Sequence, residues 1–211
     1  MKTRLIAFLG IGLLALTPSA FAQSCEDSVA ELFQSGPLNP LNRTGWRETT
    51  VQVAEDGSES TIIEAVWQNP ARVRSLSNGT YIIAINSDTW TAPSEDGPWT
   101  AAGATLPPDI EAYHQANNDA LMRNVTEVSC PGEVEIDGRS LTKYIYRTVT
   151  DPNEYGIWFG GLFHTFIDPK TGELARIEVS ESVASWAPEP AKGKTVTTYS
   201  YDPTITIDPP E

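Results

Sequence analysis

The sequence predicts a mainly β chain, α+β with small helical parts, organised on one curved antiparallel sheet. Three observations lead there. First, residues 138–180 read as a three-strand meander over 141–149, 156–167 and 175–179. Its joints hold Asp151-Pro152-Asn153 and Asp168-Pro169-Lys170-Thr171-Gly172, where proline pre-sets the turn angle and glycine accepts the positive φ that follows. Second, the side chains alternate. Tyr144 and Tyr146 fall on one face, with Leu141, Ile145 and Val149 on the other, and Ile157, Phe159, Phe163 and Ile167 share a face. Third, Gly160-Gly161 in mid-strand predicts a bulge or sharp bend, as a sheet needs when it curls. Together these describe a curved sheet with one apolar concave face.

The other elements follow in order. Residues 24–34 read as a helix: Ser24 caps it, Glu26 and Asp27 suit its positive first turn, and Val29, Leu32 and Phe33 give it an apolar side. A hairpin follows over 44–54 and 60–68 around a glycine-bearing turn at 55–58. Its second arm places Ile63, Ala65 and Trp67 on one face. A short strand at 72–76 meets the strand 81–86 across Asn78-Gly79, the strongest hairpin signal in the chain. Residues 88–101 read as a tight hairpin whose Trp90 and Trp99 stack or seal a rim. Pro107-Pro108 opens a second helix over 109–122. Strands at 125–129, 133–136, 195–201 and 204–207 complete about ten strands and two helices, in one domain over 23–211 without repeats.

Residues 1–22 read as an export signal outside that domain. Lys2 and Arg4 form its positive end, 5–16 its apolar run, and Ala20-Phe21-Ala22 its cleavage site. The run is short for a bilayer span, which takes about 20 residues. With no cysteine at the cleavage point, a lipid anchor is not expected there, and the short lysine-led signal resembles a bacterial one, which directs the chain to the periplasm. Removing 22 of the 211 residues leaves 189, enough for one domain with a real core. The signal takes two basic residues and no acids, so net charge moves from −14 to −16. Such a surface repels nucleic acid and anionic membranes, and neither is expected as a partner. Cys25 and Cys130, an even pair in an oxidising compartment, are expected to form one disulfide.

Motifs for chemistry are absent. His114 and His164 have no ligand at metal spacing, and there is no nucleophile elbow, phosphate loop or dinucleotide fingerprint. No metal, cofactor or catalytic residue is therefore expected. Of the six tryptophans, Trp46, Trp67 and Trp158 lie in predicted strands and suit packing, while Trp90, Trp99 and Trp186 lie in turn-rich stretches.

Three pieces carry a resemblance. The first is 67–74, WQNPARVR, followed by Tyr81-Ile82-Ile83-Ala84-Ile85 and Thr89-Trp90. The second is Thr165-Phe166-Ile167-Asp168 with Thr171-Gly172. The third is Tyr199-Ser200-Tyr201-Asp202 with 205–210, ITIDPP. In this order they resemble the LolA-like group of envelope lipid and lipoprotein carriers. The resemblance implies a curved, incompletely closed antiparallel β-barrel wrapped over short helices, and an acyl-chain or lipid ligand held between sheet and helices. Shuttling members carry an arginine before the proline of the first piece, where this chain has Asn69. If the sheet curls over the helices, Ile63, Ala65, Trp67, Tyr81, Ile83, Ile157, Phe159 and Phe163 are expected to face the ligand. The expected function is that of a monomeric, non-catalytic periplasmic protein binding a hydrophobic ligand. The alternatives are an envelope interaction or assembly factor with a filled core and a protein partner, or a carboxylate-dependent hydrolase.

Overall fold

Turn residues cut the chain into short alternating runs, and nearly every such run is a strand. The computed structural model describes residues 19–104, 106–153 and 155–210. Its first meander holds β1 (Trp46–Val53), β2 (Glu59–Asn69), β3 (Arg72–Ser77), β4 (Thr80–Ile85), β5 (Asp88–Ala92) and β6 (Thr100–Ala102). The second holds β7 (Thr126–Ile136), β8 (Arg139–Val149), β9 (Phe159–Ile167), β10 (Leu174–Ala184) and β11 (Lys194–Tyr201). Helices α1 (Ser19–Gln34) and α2 (Ile110–Arg123) precede the two meanders, and a 3-10 turn at Pro40–Asn42 leads into β1.

Pairing of β1 with β11 joins both meanders into one eleven-stranded antiparallel sheet, ordered β6-β5-β4-β3-β2-β1-β11-β10-β9-β8-β7. The sheet stays open, with β6 and β7 as its edges. β6 has three residues, and β7 carries exposed Glu127, Glu133 and Glu135 besides Pro131, all of which discourage a neighbour from pairing there. The mainly β, open-sheet architecture expected from the sequence is the one observed.

Residues opposite one another across a ladder share a face. That rule puts Trp46, Trp67, Val73 and Ala84 on the same side of the sheet as Tyr199, Thr165, Tyr144 and Tyr146. Val29 and Phe33 of α1 pack on Tyr146, so this is the helix side, the concave one.

Four expectations are corrected. α1 already includes Ser19, the first described residue, so Ser24 lies within the helix and not at its cap; Ala20, Ala22 and Gln23 are good helix formers and suit that extension. Apart from Ser19–Ala22, the expected export signal lies outside the described residues. The two short strands near 125–136 are one strand, β7, because Pro131 is tolerated on an edge and Gly132 takes φ +86° at a register shift. β10 runs on to Ala184, past the expected end at 179. Residues 204–207 form no strand. Asp202 Oδ1 accepts from the Thr204 amide at 3.0 Å and turns the chain, which then crosses the convex face as a strap. There Arg72 Nη1 donates to the Ile207 carbonyl (2.8 Å), the Ile207 amide donates to Gln68 Oε1 (3.0 Å), and Ile205 and Ile207 pack on Ile83 and Ile85. Trp90 and Trp99 cover the same cluster, which is how the expected tryptophan-flanked hairpin is used.

Gly160 and Gly161 stand at the start of β9, opposite a bulge on β10 between Ser180 and Val183. A Cβ at Gly160 would collide with the Thr148 carbonyl oxygen. Cys25 and Cys130 are bonded as expected, tying α1 to β7, and a disulfide fits a chain that folds in an oxidising compartment. Among the described residues no helix is long and apolar enough to cross a membrane.

Candidate functional site

The concave face has two unlike halves. Over β8–β10 it is filled. Val29 and Phe33 reach down from α1, and Leu121 and Met122 come from α2. Phe33 meets Tyr146 edge-on (centroids 5.5 Å, 74°), and Tyr146 stacks on Phe163 (5.5 Å, 2°). Leu32 packs beside them on Ile167 and Leu174. Polar latches hold the helices down. Asn118 Nδ2 donates to the Phe33 carbonyl, Thr148 Oγ1 donates to the Leu121 carbonyl at 2.6 Å, and Asn124 Nδ2 donates to the Val149 carbonyl at 2.9 Å. Tyr146 and Thr165 exchange a hydroxyl bond of 3.0 Å in full burial. Burial drives the Tyr146 phenol well above its ordinary pKa, so it stays a neutral hydrogen-bonding group.

Over β2–β4 the same face is thinly covered. Ala65, Val73 and Ala84 form a buried floor. Above it lie Ile63, Trp67 and Leu106, each only half-buried, and among the described residues neither helix adds a side chain to the cluster.

Between the halves stands an aromatic seam. Trp46, buried, stacks on Trp67 (5.2 Å, 8°), and its indole donates to Glu48 Oε2 at 3.3 Å. The Arg43 guanidinium lies 5.0 Å from the Trp46 ring centroid and 5.6 Å from that of Tyr199. A cleft of about 280 Å³ opens beside Arg43 and Tyr201, between the end of α1 and the β9–β10 turn. Burial raises the Tyr199 phenol well above its ordinary range and Tyr201 to about 12. His114 of α2 is held below 6.5, by burial first and then by the charge of Arg43. Arg43 Nε, Trp67 Nε1 and His114 Nε2 are buried without a hydrogen-bond partner among the described residues.

The expected ligand-facing residues therefore divide. Ile63, Ala65 and Trp67 come together on the thinly covered half, and Phe163 lies under the helices of the filled half. Tyr81 and Ile83 lie on the convex face instead, where Ile83 joins the strap cluster and lines a cleft of about 340 Å³ with Arg47, Arg74 and Ile207. The cause is a bulge at Gln68. β2 and β3 shift register between Trp67 and Asn69, so Trp67 faces Val73 rather than Arg74. One residue of slip turns every later side chain over. Ile157 sits in a loop before β9, because Asn153 Oδ1 accepts from the amides of Tyr155 and Ile157, each at 2.9 Å, and delays the strand. Phe159 starts β9, and both Ile157 and Phe159 are exposed.

Sequence reasoning missed Trp46, Val73, Ala84, Leu106 and Arg43. Trp46 was within reach, since a hairpin turning at 55–58 sets it across from Trp67. Leu106 and Arg43 lie outside the strands, where alternation gives no signal. Among the described residues no group of three or more His, Cys, Asp or Glu is placed to hold a metal.

No protein-family profile matches the sequence, and no curated protein matches it. Two solved structures overlay on it with TM-score 0.51. One is lipoprotein LppX of Mycobacterium tuberculosis, at 13% identity over 90% of this chain and 99% of that one. The other is LprF of Mycobacterium bovis, at 14% identity over 87% and 97%. A LolA superfamily protein of Nitrosomonas europaea aligns over 85% of this chain and 91% of that one at 10% identity, with a TM-score of 0.29. These similarities concern the fold. The open, mainly antiparallel architecture of this chain is shared with LppX and LprF.

Proposed function

We propose that the protein is a non-catalytic periplasmic carrier of a single acyl-chain ligand, seated on the concave face of β2–β4. One observation carries the reading: a sheet whose other half is filled and latched leaves Ile63 and Trp67 half-buried over a floor of Ala65, Val73 and Ala84. Proteins close-pack their interiors, so an apolar concavity finished with small residues and a loop leucine favours an occupant of its own. The disulfide and the fold suit such a carrier outside the cytoplasm. At the turn before Pro70, Asn69 Oδ1 accepts from the Ala71 amide at 2.9 Å, so that position is used to shape the turn. The reading accordingly asks for no charged ligand contact there.

Each buried methylene contributes about 0.8 kcal/mol before association costs, so a chain of about sixteen carbons reaches micromolar affinity on apolar contact alone. The test is native mass spectrometry of protein purified from periplasm, followed by titration of the delipidated form with palmitate against a displaceable fluorescent lipid probe. The expected result is a lipid-sized mass increment and saturable displacement, lost in Ile63→Glu. A lipid-free mass together with no displacement would overturn the reading in favour of an interaction factor with a filled core.

A further inference from the structure

Among the described residues, five large hydrophobic side chains are exposed, and four of them gather at one end of the sheet. Tyr155 (78% exposed), Ile157 (40%) and Phe159 (45%) lead into β9, while Trp186 (72%) tips the turn after β10. The two segments are bound to each other. Phe159 pairs with Ala184 in the β9–β10 ladder, and the Ser185 amide donates to the Trp158 carbonyl at 2.9 Å. We propose that this end is a membrane-docking tip, which sets Trp186, Tyr155, Ile157 and Phe159 into the interfacial layer of a zwitterionic lipid surface. The proposal rests on the acyl-carrier reading, which requires the ligand to be exchanged with a lipid phase.

Three features fit a lipid surface. Tryptophan and tyrosine carry an apolar body and a polar tip, the chemistry that collects at the bilayer–water boundary, and here they stand beside Phe159 and Ile157. The tip is also ordered in advance. Asn153 Oδ1 holds the amides of Tyr155 and Ile157, the Asn153 amide donates to the Ile157 carbonyl at 2.9 Å, and Phe159 exchanges bonds with Thr150 through its amide (3.0 Å) and carbonyl (2.8 Å). Little conformational freedom is then lost when the tip inserts. Finally, three acids near this end pair with two arginines: Asp151 with Arg123 at 2.5 Å, and Glu181 and Glu127 with Arg147 at 2.6 and 2.9 Å. The overall negative charge is therefore muted at this end, although it still disfavours an anionic bilayer. Phe159 also shares its alternation phase with Phe163, so the tip continues the concave face outward.

The test is flotation of the full mature chain with phosphatidylcholine vesicles and, separately, phosphatidylglycerol vesicles. The expected result is partition onto phosphatidylcholine, weaker onto phosphatidylglycerol at low salt. Trp186→Ala with Tyr155→Ala should lower partition about tenfold, as loss of two interfacial aromatic contacts implies, while Trp186→Phe with Tyr155→Phe keeps most of it. Trp67→Ala should float as wild type, which separates docking from ligand uptake. Partition unchanged by the double alanine variant overturns the proposal. So does no partition onto either lipid, which leaves the tip to a protein partner. Failure of palmitate displacement with tip-dependent flotation intact would instead sink the carrier reading alone.

Discussion

The two halves of the concave face share one sheet, yet they are finished in opposite ways. β8–β10 receives large side chains from two helices, cross-bonded through Asn118, Thr148 and Asn124 and tied by the Cys25–Cys130 bridge. Among the described residues, β2–β4 receives from outside the sheet only Leu106 of a loop in its apolar cluster. The first half is built as a core and the second as a surface turned inward. Stability and binding should therefore separate between them, and substitutions on either side test that separation.

The largest effect is expected from Tyr146→Ala. It empties the space between Phe33 and Phe163 and strands the Thr165 hydroxyl, at a cost of about 3–5 kcal/mol. Trp67→Ala, on a half-buried ring, should cost only about 1–2 kcal/mol. The order should reverse for palmitate: Trp67→Ala weakens displacement strongly, and Tyr146→Ala, wherever it remains folded, weakens it little. Urea unfolding beside the probe titration checks both. Equal stability losses would mean that the thinly covered half is a core after all.

Next comes the bridge. Closing a loop between residues 105 apart is worth about 4–5 kcal/mol by chain entropy, and about 2–4 kcal/mol once order retained in the denatured chain is allowed for. The pair Cys25→Ser and Cys130→Ser should lower stability by that amount and loosen α1, seen as faster amide exchange over residues 25–34. Amides of β2–β4 should keep their protection, because among the described residues α1 adds no side chain to that cluster. Uniform loss of protection across the sheet would refute two separately finished halves.

Which parts were legible follows from where each signal is local. Turn chemistry at Asn78-Gly79, Asp168-Pro169 and Asp202-Pro203 is written in adjacent residues, and the strand breaks lie there. The meander faces were also legible, since Tyr144 and Tyr146 share a strand and period two fixes their side. Tyr81 and Ile83 were assigned to the wrong face because the bulge at Gln68 depends on how two strands settle against each other, which alternation within one strand cannot encode. Ile205 and Ile207 read as a strand because alternation is the same in a strap pressed on a sheet; only the missing amides of Pro203 and Pro209 hinted otherwise. Leu106 and Arg43 reach the site from irregular chain, and tertiary contact alone identifies them.

The smallest effect concerns pH. Burial and the charge of Arg43 hold His114 below 6.5 at the seam, while His164, on the convex side of the filled half, is lowered by burial and then by Lys143, with Lys194 adding to them and Glu178 opposing. Both histidines thus bind a proton less readily folded than unfolded. The unfolded chain then holds more protons as pH falls through and below 6.5, so stability is full above that pH and declines beneath it. Carboxylates held down by their partners act lower: Asp168, held by the Lys170 amide and then by Arg139, keeps its contribution until pH falls below 3.8. The interval from pH 7.5 to 5 consequently isolates the histidines. Urea midpoints should fall gently across it in the wild type, less in His114→Gln or His164→Gln, and scarcely at all in the double variant. His114→Gln should also leave the pH response of palmitate displacement flatter than His164→Gln does, since only His114 stands beside Arg43 at the aromatic seam. A wild-type midpoint that stays level from pH 7.5 to 5 would remove this account of the seam.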